Sequence, residues 1–178
     1  KKVNWPALDA QIATDYIAWA TKDATIQYNT ELKKHFKESI KSYFTPFFIN
    51  ILLEQVDKNA KKKKKTAITK EDINEAFIEV VKQNDHFIDW KKRLSDYMPA
   101  DDFAFVNEIL IHISHKDSIT VQKIYDKSSK HNKKESYMEL INDLENDGYI
   151  VEHNNVYTFI SPYLKAFWNR NNPIYNED

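Results

Sequence analysis

Glycine occurs once in this chain, at Gly148. So little glycine disfavours β-sandwiches and barrels, whose tight turns need residues that tolerate positive φ, and favours helices joined by polar loops. It also excludes a phosphate-cradling P-loop, GxxxxGK[ST], and a dinucleotide fingerprint, GxGxxG. Both need several glycines so that backbone N–H groups can approach the phosphates. Cysteine is absent, which removes disulfides, thiolate nucleophiles and Cys-ligated zinc, and suits a reducing compartment. No apolar run nears the ~20 residues of a membrane-spanning helix, and no signal peptide is visible. The expectation is a soluble, cytoplasmic chain with no membrane partner. It opens Lys1-Lys2-Val3 without Met, as a fragment or a processed piece would.

What is present supports a packed core. The 178 residues are 42% apolar and 13% aromatic, enough for one large domain or two small ones. The net charge of −1 hides a division: Lys1 to Ala100 carries 18 Lys/Arg against 14 Asp/Glu, and the remainder 8 against 13. The first part is therefore net +4 and the second net −5.

In the first half, Leu8, Ile12, Tyr16, Ile17 and Ala20 recur at helical spacing behind Pro6 and predict a helix to about Lys22. Asn29-Thr30 offers an N-cap, and Leu32, Phe36 and Ile40 form the next stripe, to about Ser42. Tyr43 to Glu54 is the most apolar stretch, with Thr45 as N-cap and Pro46 at the first helical position, where its missing N–H costs nothing. This helix is expected to reach Asn59 and to be central. The five lysines between Ala60 and Thr66 then read as a solvated loop, because like charges repel. Thr69-Lys-Glu-Asp72 resembles a capping box with Asp in the last place, opening a helix through Ile73, Ala76, Phe77, Val80 and Val81 to about Asn84. His86 to Met98 gives one more, with Phe87, Trp90, Leu94 and Tyr97 on one side, and Pro99 ends it.

The second half reads as three helices and a hairpin. Asp101 or Asp102 caps a run with Phe103, Val106, Ile109, Leu110 and Ile113 inward. Thr120 caps a short helix with Val121, Ile124 and Tyr125 inward, and Asn132 to Asp147 forms the third. Gly148 stands where a helix end needs the left-handed conformation. Tyr149–Glu152 and Val156–Phe159 are β-rich runs around the turn His153-Asn-Asn155, and Ser161-Pro162 starts a last helix with Leu164, Phe167 and Trp168. The fold class expected is mainly α: a helical bundle over 1–99, then a winged helix-turn-helix with a small β-hairpin over 100–178.

Phe44-Thr-Pro-Phe-Phe-Ile-Asn-Ile-Leu-Leu-Glu54 resembles the lid helix that follows the nucleotide-binding core of archaeal-type AAA/STAND ATPases. Ile68-Thr-Lys-Glu-Asp-Ile-Asn-Glu-Ala-Phe77 is similar to the next lid helix, and Trp90-Lys-Lys-Arg-Leu94 to the Trp-x-x-Arg-Leu segment after it. Leu144–Ile150 and Tyr157–Trp168 resemble the wing and closing helix of the same family's C-terminal winged helix. Two positions depart from the pattern: Phe44 or Thr45 replaces the usual glycine, and Lys165 stands where Arg is common. The resemblance implies a lid and winged helix without their P-loop core. ATP and magnesium would belong to that core, and this chain would hold no cofactor and hydrolyse nothing itself.

Four groups of residues carry candidate chemistry. In the resemblance, Arg93 is a sensor approaching the nucleotide's phosphates from the lid, a role that suits its planar fork of donors. The alternative is an ion pair with Asp89 or Asp96. Lys130, His131, Lys133, Lys134 and Ser136 sit near the start of the third helix, where a recognition helix would meet phosphates. Against that reading stand Glu139, Asp143, Glu145 and the acidic balance of the whole second half, since phosphate neutralisation dominates DNA affinity. His112 and His115, followed by Asp117, have a spacing that can present two imidazoles on one side, yet His112 lies between Ile111 and Ile113 and a packed or surface pair is expected rather than a metal site. Asp101-Asp102 and Glu71-Asp72 fit helix starts. No catalytic constellation stands out.

The function expected is therefore the regulatory C-terminal half of a STAND-like ATPase. Its partners would be its own P-loop core or another protein. The alternative is a DNA-binding winged-helix transcription regulator with a helical partner domain, and a third reading is an adaptor without any link to a nucleotide.

Overall fold

A computed structural model of the chain describes residues 8–41, 44–83 and 85–176. Pro6, Ser42, Tyr43 and Asn84, which figure in the sequence reading, lie outside the described residues. The chain is mainly helical with one small three-stranded antiparallel sheet, and it divides into two compact units, Lys1–Gln83 and Asn84–Asp178.

The first unit is a bundle of α1 (Ala10–Ala20), α2 (Thr30–Ser39), α3 (Pro46–Lys63) and α4 (Lys70–Gln83). Each start is set by a side chain that accepts from orphan N–H groups: the Asp9 carboxylate on α1, Asn29 on α2 and Thr45 on α3. For α4, Thr69 and Asp72 exchange bonds as a capping box: the Thr69 N–H donates to Asp72 Oδ2 at 3.0 Å and the Asp72 N–H donates to Thr69 Oγ1 at 3.4 Å. The core is built from Ile17, Phe36, Ile40, Phe48, Ile49, Leu52, Val56, Ile73 and Ala76, all essentially inaccessible to water.

Two expectations change here. The lysine run is not a free loop: Lys61, Lys62 and Lys63 form the last turn of α3, and Lys64 closes it in the left-handed conformation at φ 53°. The Lys65 N–H donates to the Ala60 carbonyl and the Lys64 N–H to that of Lys61, a glycine-free Schellman end. Cations suit the negative end of a helix. The run also has carboxylates within reach, with Lys61 paired to Asp57 and Lys63 to Glu75. On α1 the inward residues are Ala13 and Ile17, whereas Ile12 is 51% exposed and Trp19 70% exposed.

The second unit is built around α6 (Ala100–Lys116), which packs against its other elements: α5 (Asp85–Tyr97), β1 (Ile119–Thr120), α7 (Val121–Lys130), α8 (Tyr137–Asn146), β3 (Val156–Phe159) and α9 (Pro162–Asn171), with β2 (Ile150–His153) pairing on β3. The sheet order is β1-β3-β2. The expected hairpin therefore gains a third, two-residue strand, with Ile119 opposite Tyr157 and Thr120 opposite Val156. Asn154 and Asn155 make the hairpin turn at positive φ. Gly148, at φ 78°, ends α8 in a full Schellman motif, its own N–H donating to the Glu145 carbonyl and the Tyr149 N–H to that of Leu144.

The helix grouped by the sequence with the first half, α5, belongs to this second unit. Phe87 stacks on Tyr163 with centroids 5.8 Å apart, Trp90 meets Tyr149 edge-on at 5.7 Å, and the Tyr149 hydroxyl donates to the Trp90 carbonyl at 2.9 Å. The unit thus starts near residue 84 rather than after Pro99. Its α6 starts at Ala100 behind Pro99, so Asp101 and Asp102 lie in the first turn rather than at the cap.

Candidate functional site

The third helix of the sequence reading is shorter than expected. Asn132, at φ 57°, ends α7 in the left-handed conformation, and the Lys133 N–H donates back to the Ser128 carbonyl. Lys133 to Ser136 form turns, and α8 begins only at Tyr137. The five residues considered for nucleic-acid contact therefore lie at the end of α7 and in this connection, not on α8.

Two of the five are committed to the unit's own scaffold. His131 Nε2 donates to Glu108 Oε2 at 2.5 Å, and Lys133 pairs with Asp102, both partners lying on α6. Lys127 donates to the other Glu108 oxygen at 2.5 Å, with only 9% of the residue exposed. Burial works to raise the Glu108 carboxyl, but the hydrogen bonds from Lys127 and His131 overcome it and hold the group below its ordinary range. Ser136 is half-buried, and its hydroxyl makes no capping bond to α8. Lys130 and Lys134 are the members that project into solvent, Lys134 lying 5.7 Å from the Tyr125 ring centroid. Lys130 also borders an open recess with Thr120, Gln122, Lys123 and Asp126.

The outward side of α8 has the opposite sign. Glu139, Asn142, Asp143 and Asn146 are exposed at helical spacing, and Glu135 precedes them in the connection. Glu145 instead turns back, its Oε1 accepting from the Glu152 N–H at 3.0 Å and tying α8 to β2. The surface that a groove-reading helix would offer to phosphate thus carries carboxylates and amides.

Arg93 lies exposed on α5, its guanidinium carbon 5.7 Å from the Trp90 ring centroid. Among the described residues neither Asp89 nor Asp96 pairs with it. Its charge acts on Tyr149: burial raises that hydroxyl's pKa, and Arg93 opposes the rise.

The histidine pair is occupied from within. The His112 Nδ1 lies 2.5 Å from the Tyr175 hydroxyl, and the Tyr175 ring stacks on His115 at 5.2 Å and 12°. Asp117, at φ 69°, pairs with Lys165 of α9. No group of three potential metal ligands occurs among the described residues.

Exposed apolar side chains on α1 are the feature that sequence reasoning missed. Periodicity places Ile12 inward, yet the apolar face of α1 is broader than the side that Ala13 and Ile17 bury. The width of that apolar face is the available signal. Comparison with protein-family models, curated proteins and solved structures gives no match for this chain.

Proposed function

We propose that the chain is the regulatory C-terminal half of a STAND-like ATPase, a helical lid-like bundle followed by a winged helix that contacts protein rather than DNA. The observation that carries the second part is the acidic outward side of α8, at the position of a recognition helix, with Glu139 and Asp143 turned to solvent and Glu135 exposed just before it. DNA affinity rests on neutralised phosphates, and this side repels them. His131 and Lys133, which could have offset the repulsion, are held by Glu108 and Asp102.

In this reading the chain performs no catalysis. The lid changes its angle with the nucleotide state of a P-loop core, and the winged helix passes the change to a partner or restrains the core. ATP and magnesium belong to the core, and Arg93 is the candidate phosphate contact from this side. Two observations test it. The coding sequence ahead of Lys1 should contain GxxxxGK[ST]. A separately made core should bind this chain and change its rate of ATP turnover on mixing; neither binding nor a change in rate would remove the regulatory role.

The alternative, a DNA-binding regulator, draws on Lys130 and Lys134, which project from one end of α7 and the connection after it. It requires duplex binding that weakens with salt and with Lys134→Glu. Absence of binding at low salt would eliminate it.

A further inference from the structure

Helix α1 presents an apolar stripe to solvent. Ile12, Tyr16 and Trp19 recur four and three residues apart on one face, with Ile12 51% and Trp19 70% exposed. The stripe is held in shape. The Tyr16 hydroxyl donates to the Asn50 side-chain oxygen at 3.1 Å, and its ring meets that of Trp19 at 5.7 Å and 47°. Phe47, 41% exposed, lies on α3 between Asn50 and Phe44, and Phe44 bridges Leu8 just ahead of α1. Trp and Tyr fixed on a rigid helix are the residues that anchor protein interfaces.

The charges beside the stripe indicate what covers it. Asp15 and Lys22 are exposed on the same flank, and among the described residues neither pairs with an opposite charge. Asp15 accepts from the Gln11 amide at 3.0 Å. Lys22 follows the end of α1, its N–H donating to the Trp19 carbonyl, so the chain keeps its helical path there. Two turns, ~10 Å, separate the two charges along the helix, too far for a bond within one copy.

A second copy satisfies both. Two α1 helices placed antiparallel about a twofold axis bring like flanks together, so Asp15 meets the partner's Lys22 and Lys22 meets the partner's Asp15. Ile12 then lies against the partner's Trp19, the two Tyr16 rings sit near the axis, and the helix dipoles oppose. A parallel pair would instead set Asp15 on the partner's Asp15 and Lys22 on the partner's Lys22. The pattern is therefore self-complementary in one direction. Because α1 is only ~16 Å long, the contact falls below the ~1,200 Å² of a standard interface, which makes the pairing reversible.

We propose that the chain forms a reversible antiparallel dimer through α1, with Trp19 of each copy seated on Ile12 of the other and two Asp15–Lys22 pairs beside them. The dimer does not depend on any link to an ATPase core. Sedimentation equilibrium of the full chain tests it. Association should appear with a Kd of roughly 10–100 µM at low salt and weaken as salt screens the charge pairs. Trp19→Ala should weaken it at least ~30-fold. Asp15→Lys and Lys22→Asp should each weaken it ~5-fold or more, because two symmetry-related pairs turn repulsive. Mixing those two single variants in equal amounts should restore association as a heterodimer, and so should combining both changes in one chain. A chain that stays monomeric at ~1 mM overturns the proposal. So does a dimer that Trp19→Ala leaves unchanged, or a mixture of the two charge variants that stays dissociated. A chain monomeric on its own whose Trp19 becomes shielded by a separately made ATPase core would assign the face to that core instead and equally overturn the dimer.

Discussion

Lys65 and Asp72 fasten the end of one helix to the start of the next. The Lys65 ammonium donates to both oxygens of the Asp72 carboxylate, at 2.9 and 3.0 Å, while that carboxylate also accepts from the Thr69 N–H. Asp72 is 7% exposed and Lys63 approaches it as well. One side chain therefore serves as capping residue and as partner to two cations. Asp72→Ala should lower unfolding stability by ~2–3 kcal/mol, the loss of a cap together with charge-assisted bonds, read as a shifted urea midpoint. A loss below ~0.5 kcal/mol would show that water replaces the clasp at no cost.

Acid should undo the same clasp. Burial acts to raise the Asp72 carboxyl, but the bonds from Lys65, the Thr69 N–H and Lys63 prevail and bring it from 3.8 to about 2. Because the folded value is the lower one, the unfolded chain binds the proton first. The contribution is complete above about pH 4 and disappears as the pH falls toward 2. The two lysines remain partly in water, which limits the effect to ~1–2 kcal/mol. The difference in stability between wild type and Asp72→Asn should shrink across that interval and stay constant from pH 5 to 7.

Lys64 and Gly148 occupy equivalent helix ends with unequal residues. Lys64 accepts a left-handed backbone against the preference of any residue with a Cβ, so Lys64→Gly should raise stability by ~0.5–1 kcal/mol. At Gly148 an added Cβ would meet nothing within 4 Å. Gly148→Ala should then cost only the conformational term, ~1 kcal/mol, and Gly148→Asn less. Thermal unfolding of the three variants decides the matter, and a larger loss at Gly148 would point to a steric cause.

Glu108 holds Lys127 in a place with little water. Glu108→Ala leaves that ammonium without its partner and should cost ~3 kcal/mol, whereas Glu108→Ala combined with Lys127→Met should recover much of it. A double-mutant cycle in urea measures the coupling, and additive losses would mean that the ammonium finds water instead.

Reversing charge on α8 tests whether its carboxylates disfavour DNA. Glu139→Lys with Asp143→Lys should raise duplex affinity by at least ~10-fold at low salt and steepen the salt dependence, because these carboxylates face outward. Fluorescence anisotropy with a labelled duplex gives the comparison. Equal binding by both forms would mean that these carboxylates do not set the affinity of this surface for DNA.

Local signals were legible in the sequence, and long-range ones were not. The pairing of Thr69 with Asp72, the left-handed Gly148, Pro46 and Pro162 at first helical positions, and the inward stripe of α6 all depend on neighbours a few residues apart. The membership of α5 depends on Phe87 meeting Tyr163, which a stripe of apolar residues cannot encode. It says that one side is buried and not against what. Likewise, β1 exists because Ile119 and Thr120 find β3, and two residues carry no periodicity. The lysine run misleads because repulsion is local whereas two of its partners, Asp72 and Glu75, come from α4. Asn132 could have signalled the break before α8, since asparagine is among the few residues that tolerate its φ. The occupation of His131 and Lys133 by α6 carboxylates left no trace in spacing.

The chain's only glycine also makes its only Asp-Gly bond, a linkage prone to succinimide formation and isoaspartate. That reaction needs the Asp147 carboxyl to swing onto the Gly148 nitrogen. Here the Asp147 Oδ2 accepts from the Tyr97 hydroxyl at 2.6 Å, and the Gly148 N–H is turned to the Glu145 carbonyl at 3.0 Å. Chemical ageing at this bond is thereby coupled to opening of the α5 and α8 ends. Isoaspartate accumulating at position 147 becomes a record of how long these helix ends have spent open.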